Sequence, residues 1–154
     1  MKLYTASASP NGRRVNIAVL EKGLTIEKQE IDLSGAENLG DAFKSKNPFG
    51  RVPVLELDDG TCISESVAIT RYLDAIQPEP SLFGVSDLEQ VMIEMWNRRV
   101  EFNLYIPVAQ AFRNLTGFFK DREMISKEWG QISAEIAQEA TPLFNKQLGI
   151  TEYI

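Results

Sequence analysis

A five-residue stretch, Gln77-Pro78-Glu79-Pro80-Ser81, divides the sequence into two parts with different hydrophobic periods. Two prolines this close together lack the backbone donors that a helix or an inner strand needs, so the chain must leave one structural unit here before it enters another. Ahead of the prolines, strand-like and helix-like runs take turns. Lys2 to Ala6 alternates and favours a strand, Ser9-Pro10-Asn11-Gly12 marks a turn, and Arg13 to Lys22 carries Val15, Ile17, Ala18 and Leu20 before Gly23, a helix stop. Ile26 to Leu33 reads as a second strand whose alternation slips phase near its end. A Gly- and Asn-containing stretch with one short helix leads to Asn47. Val52 to Leu57, Asp58-Asp59-Gly60 and Thr61 to Ser64 then spell a hairpin with acidic-glycine turn chemistry. Glu65 to Ile76 closes this part, with Val67, Ala68, Ile69, Tyr72, Leu73 and Ile76 at helical spacing.

The order β-α-β, connector, β-β-α predicts an α/β domain of the thioredoxin-like kind over residues 1–77, a four-stranded mixed sheet flanked by helices. A linker over 78–86 follows. Residues 87–154 read as an all-α domain. Asp87 is the expected N-cap of a long amphipathic helix through Trp96, Val100 and Leu104 to about Phe112, kinked at Pro107. A second helix is expected from about Ser126 to Leu148, bending at Pro142. There are no internal repeats and no low-complexity tract.

Composition removes several chemistries. The chain has 154 residues and a net charge of −6, so it repels phosphate backbones and anionic membrane surfaces, and nucleic acid and membrane are not expected partners. Cys62 is the single cysteine and histidine is absent. Ser-His-Asp and Cys-His nucleophile systems, HExxH metal sites and thiolate-rich metal centres are therefore unavailable, and no metal is expected. No apolar run approaches the roughly 18 residues of a membrane span, and a reducing cytoplasmic setting is expected. Any catalysis must use hydroxyls, carboxylates, amides and backbone dipoles.

Read on their own, Ser9-Pro10-Asn11 is a turn and helix cap, Glu65-Ser66 a capping pair at a helix start, Cys62 a buried small hydrophobe and Arg13-Arg14 a solvated helix face. Three segments taken together suggest more. Ser9-Pro10-Asn11-Gly12-Arg13-Arg14-Val15, Asn47-Pro48-Phe49-Gly50-Arg51-Val52-Pro53-Val54-Leu55 and Glu65-Ser66-Val67-Ala68-Ile69, in this order and spacing, resemble the cytosolic glutathione transferases. The flavour is that of bacterial and fungal enzymes related to the theta, delta and phi classes, which use serine rather than tyrosine. The likeness continues into Trp96-Asn97-Arg98-Arg99-Val100-Glu101.

That resemblance implies an enzyme that conjugates the thiol of glutathione, a co-substrate, to a small hydrophobic electrophile, as a homodimer and with no other cofactor. The thiol is expected beside the first helix N-terminus, where unpaired N–H groups favour an anion and a hydroxyl can donate to a thiolate. Ser9 is the leading donor, Ser7 the neighbouring alternative, and Asn11 could donate through its amide. Pro53 is expected to be cis, exposing the backbone of Val52 to the tripeptide. Ser66 would hold the γ-glutamyl carboxylate, Glu65 the ammonium group, and Asn38 and Arg51 the glycyl end. Tyr105, Val108 and Phe112 are the candidate electrophile pocket, with core packing as their plainer role. A cysteine-dependent thiol–disulfide activity would need Cys at the Ser9 or Asn11 position. A non-catalytic interaction module is the alternative reading. Family members usually exceed 200 residues, so the helical domain is expected to be incomplete, leaving Met95, Trp129, Ile132, Ile136 and Phe144 short of cover.

Overall fold

A computed structural model describes residues 1–152, so the last two positions of the 87–154 segment lie outside the described residues. The chain forms two compact units, Met1–Phe83 and Gly84–Ile154.

The first unit holds a four-stranded sheet in the order β2-β1-β3-β4, built from β1 (Lys2–Thr5), β2 (Glu27–Glu30), β3 (Val54–Glu56) and β4 (Cys62–Ser64). β1 pairs with β2 in parallel and with β3 antiparallel, and β3 pairs antiparallel with β4, which is the thioredoxin-like mixed sheet. Its helices are α1 (Pro10–Glu21), the one-turn α2 (Asp41–Lys44) and α3 (Ser66–Ile76). Because side chains alternate along a strand, neighbouring residues go to opposite faces. Leu3 and Leu55 join Val15, Val19, Ile69 and Leu73 in one core, while Tyr4 and Val54 join Ile31 and Phe43 in the other. The expected second strand, Ile26 to Leu33, shortens to Glu27–Glu30, and its ends explain the phase slip: Ile26 packs in the first core and Ile31 in the second.

Polar contacts fix the edges. Tyr4 Oη donates to Glu56 Oε2 at 2.6 Å, and Lys46 Nζ donates to the same oxygen at 2.8 Å. Cys62 is only half-buried, not the fully buried hydrophobe its sequence context suggests, because it sits on the edge strand β4. Burial, helped by the nearby Glu56 charge, still pushes its thiol pKa up. Lys22 has a fully buried side chain, and its ammonium donates to the carbonyls of Pro78 and Pro80 and pairs with Asp74. Asp74 in turn accepts the N–H of Leu82 at 2.9 Å. A buried ammonium needs such partners, and here they tie α1 to the proline stretch.

The second unit contains α4 (Asp87–Val100), α5 (Ile106–Thr116) and α6 (Lys127–Leu148). Ser86, not Asp87, is the N-cap of α4, and it forms a full capping box with Glu89. The Ser-x-x-Glu spacing carries that signal. The expected kink at Pro107 takes a specific form: one π-helical turn, Glu101–Tyr105, separates α4 from α5, so Pro107 falls in a first turn where its missing N–H leaves no carbonyl unpaired. α5 runs past Phe112 to Thr116 and stops at Gly117, whose φ of +64° suits a left-handed cap. α6 continues through Pro142, and Asn114 caps its entry by accepting the N–H of Ser126 at 2.8 Å. Trp129, Ile132 and Ile136 are exposed, whereas Phe144, expected to lack cover, is buried.

Candidate functional site

The candidate site is built from the N-termini of α1 and α3. Ser9 is the N-cap of α1, with extended backbone (φ −78°, ψ 143°), and its Oγ accepts the Gly12 N–H at 3.0 Å. Pro10 brings no donor to the first turn, and Arg13 N–H donates to the Ser9 carbonyl at 2.9 Å. Asn11 N–H is then the first-turn amide with no intrahelical acceptor. The cap uses a lone pair of the Ser9 hydroxyl and not its hydrogen, so capping and donation to an anion are compatible. Gly12 lets this turn settle on the end of β1, because a Cβ there would stand 2.4 Å from the Ala6 carbonyl oxygen and 2.6 Å from Thr5 Oγ1.

Ser7 is engaged elsewhere. Its N–H donates to Glu30 at 2.9 Å and its hydroxyl donates to the same carboxylate, while Asn16 Nδ2 donates to Ser7 Oγ at 3.3 Å. The two bonds from Ser7 hold the Glu30 carboxyl below its usual range. A hydroxyl whose hydrogen is committed to a carboxylate is a poor donor to a thiolate, and that carboxylate's charge opposes one. Geometry therefore favours Ser9 and Asn11 over Ser7.

At the start of α3 the arrangement is more open. Glu65 is exposed and holds φ 70°, ψ 116°, with no side-chain cap bond. A non-glycine residue in that region carries strain of order 1–3 kcal/mol, a pattern that clusters at binding sites. Ser66 is 6% exposed, and its Oγ accepts from Arg14 Nη1 at 2.8 Å and donates to Asn11 Oδ1 at 3.3 Å. Arg14 is thus not a solvated residue like its neighbour Arg13. It is half-buried because its place on α1 points it at α3, whereas Arg13 points to solvent. The structure brings Asn11, Arg14 and Ser66 together across the two helix starts.

The connector before β3 is pinned by asparagines. Asn47 is buried, donates to the Arg51 carbonyl at 2.8 Å and accepts from Phe49 N–H at 3.1 Å. Asn38 lies in a short 3₁₀ turn, Glu37–Leu39, and donates to the Gly50 carbonyl at 2.6 Å. Its amide nitrogen is therefore occupied in holding the loop. The Arg51 side chain is exposed, and the Val52–Pro53 peptide is cis. In the second unit, Tyr105 ends the π turn and is half-buried. Val108 and Phe112 lie one turn apart on α5, 49% and 48% exposed, and the Phe112 ring packs on Phe118 with centroids 5.7 Å apart. Among the described residues no group of three or more His, Cys, Asp or Glu could hold a metal ion, and no helix is long and apolar enough to cross a membrane.

Residues 3–81 match the family model described as the N-terminal domain of glutathione S-transferase. Over its whole length the chain is 38% identical to Glutathione S-transferase 2 of Saccharomyces cerevisiae, of which it covers 68%. The chain belongs to the glutathione S-transferase family. Among solved structures, a glutathione S-transferase domain-containing protein of Marinobacter aquaeolei is similar with a TM-score of 0.94 and 40% identity, over 99% of this chain and 76% of that one. The probable elongation factor 1-gamma 1 of Arabidopsis thaliana is 32% identical over 75% of this chain, which spans 28% of that protein.

Within this glutathione S-transferase fold, Arg14 is the site residue that sequence reasoning missed. The signal was available: Arg14 lies three residues after Asn11 and next to the buried Val15, so a helix puts it on the flank that faces α3.

Proposed function

We propose that the chain binds glutathione and conjugates its thiol to small apolar electrophiles, in a reducing cytoplasmic setting and as a homodimer. The observation that carries this reading is the Ser9 cap, which leaves a hydroxyl hydrogen and the Asn11 N–H together at the positive end of α1. A thiol with the ordinary pKa of about 8.5 is roughly 3% ionised at pH 7, and one brought to about 6.5 is about three-quarters ionised. The lower basicity of such a thiolate returns much of that gain, so positioning the electrophile supplies the larger share of the rate. Ser66 and the N–H groups of α3 would receive the γ-glutamyl carboxylate, Glu65 its ammonium group, and the Val52 backbone the extended tripeptide. Asn38 and Arg51 would serve the glycyl end, and Tyr105, Val108 and Phe112 the electrophile.

Retention on immobilised glutathione, together with turnover of chlorodinitrobenzene, is the expected result. Ser9→Ala should lower turnover about 10²-fold with a smaller loss of glutathione affinity. An unchanged rate in that variant would move the donor role to Asn11. Absence of both retention and turnover in the unaltered chain removes the enzyme reading. It would favour the second one, a protein-interaction module, which the similarity to an elongation factor 1-gamma supports.

A further inference from the structure

The reading above gives Ser66 the γ-glutamyl carboxylate, and the hydroxyl of Ser66 is already occupied. Its oxygen takes a charged donor, Arg14 Nη1, at 2.8 Å. Its hydrogen goes to Asn11 Oδ1 at 3.3 Å, close to the limit for a hydrogen bond. A strong bond on the oxygen side fixes the rotor and polarises the O–H, while the weak bond on the hydrogen side is readily exchanged. A carboxylate arriving at the start of α3 is a better acceptor than a neutral amide, so it takes that hydrogen. It then stands against the same oxygen that the guanidinium already touches. Two groups bonded to one oxygen lie within about 5 Å of each other, close enough for a planar guanidinium to pair with a carboxylate.

Resting on the proposed glutathione binding, we propose that Arg14 determines specificity for the γ-glutamyl end of the ligand, orienting the Ser66 hydroxyl and supplying the cation that the α-carboxylate meets. The rest of the subsite fits an amino-acid zwitterion. Exposed Glu65 supplies the anion for the ammonium group, one residue before Ser66. A ligand with the ammonium group but no carboxylate gains nothing from Arg14.

The test is a cycle of two proteins and two ligands, with dissociation constants measured by calorimetry on the full chain. The ligands are glutathione and 4-aminobutyryl-cysteinyl-glycine, which is glutathione without the α-carboxylate. Arg14→Gln should weaken glutathione binding about 10- to 100-fold and analogue binding less than about twofold. Arg14→Lys keeps the charge without the fork. It should lose less glutathione affinity than Arg14→Gln and again spare the analogue, which keeps the comparison available if Arg14→Gln does not fold. Equal losses for both ligands would mean that Arg14 only supports the helix pair, and they overturn the assignment while leaving glutathione binding standing. Wild-type protein that binds neither ligand overturns the functional reading and, with it, the role of Arg14.

Discussion

The two helix starts of the first unit solve the same problem in opposite ways. α1 satisfies itself: Ser9 caps Gly12, Pro10 removes one donor, and Gly12 lets the turn press on β1. α3 does not. Its cap position is a strained Glu65 that makes no capping bond with its side chain, and the buried Ser66 beside it is held from the other helix by Arg14. A self-satisfied start offers a fixed donor at little cost in stability. A start whose groups lean on a neighbour and on strain is arranged for something that arrives later. The first suits a group that must already be in place when a thiol ionises, and the second suits recognition of a charged, variable ligand end.

Four changes test this contrast, beginning with the largest. Gly12→Ala should destabilise the protein by about 2 kcal/mol or more in chemical denaturation, because the new methyl meets the Ala6 carbonyl rather than a flexible side chain. A wild-type midpoint would mean that the α1 turn is not tightly seated. Ser9→Ala should cost about 1 kcal/mol as a lost N-cap, in addition to its effect on turnover. If stability is unchanged, α1 is not self-satisfied. Glu65→Gly should do the reverse, raising stability by about 0.5 kcal/mol as the strain is relieved, while weakening retention on immobilised glutathione. A loss of stability there would make Glu65 an ordinary structural residue and erase the contrast.

The smallest effect is one of pH. The Glu30 carboxyl, held below its usual range by Ser7, anchors the turn that leads into α1. That anchoring is complete above the ordinary value of 4.5 and is lost as pH falls through the lowered pKa. Because Glu30 is exposed, the contribution is about 0.5 kcal/mol or less. Amide exchange at Asn11 and Gly12 should therefore quicken on acidification more than exchange at Ser66 and Val67, and Glu30→Gln should abolish the difference. Equal quickening at both helix starts would contradict a local anchor.

Much of the first unit was legible in the sequence because its signals are local. The alternation of Leu3 with Tyr4 and of Val54 with Leu55, the Asp58-Asp59-Gly60 turn and the proline stretch each act over a few residues. Ser9 and Ser66 were legible because each precedes or opens a helix. What escaped depends on contacts between elements distant in sequence. Arg14 looked solvated because a helical surface arginine usually is, and only the approach of α3, 52 residues later, gives it Ser66. The role of Asn38 in holding Gly50 likewise needs the loop closed. Ser86 was missed for a different reason: Asp87 beside it is also a good cap, and the Glu89 partner that decides between them was not weighed.

The π turn at Glu101–Tyr105 has a consequence for how the second unit is indexed. Side chains on an α-helix advance about 100° per residue, and a wider turn inserts one residue without a matching advance. The stripe that begins at Val108 and Phe112 is therefore not the geometric continuation of the one along α4. The two helices form one rod in sequence but two independently aimed surfaces, and substitutions that repack α4 leave the aim of α5 unchanged as long as the wide turn between them keeps its five residues.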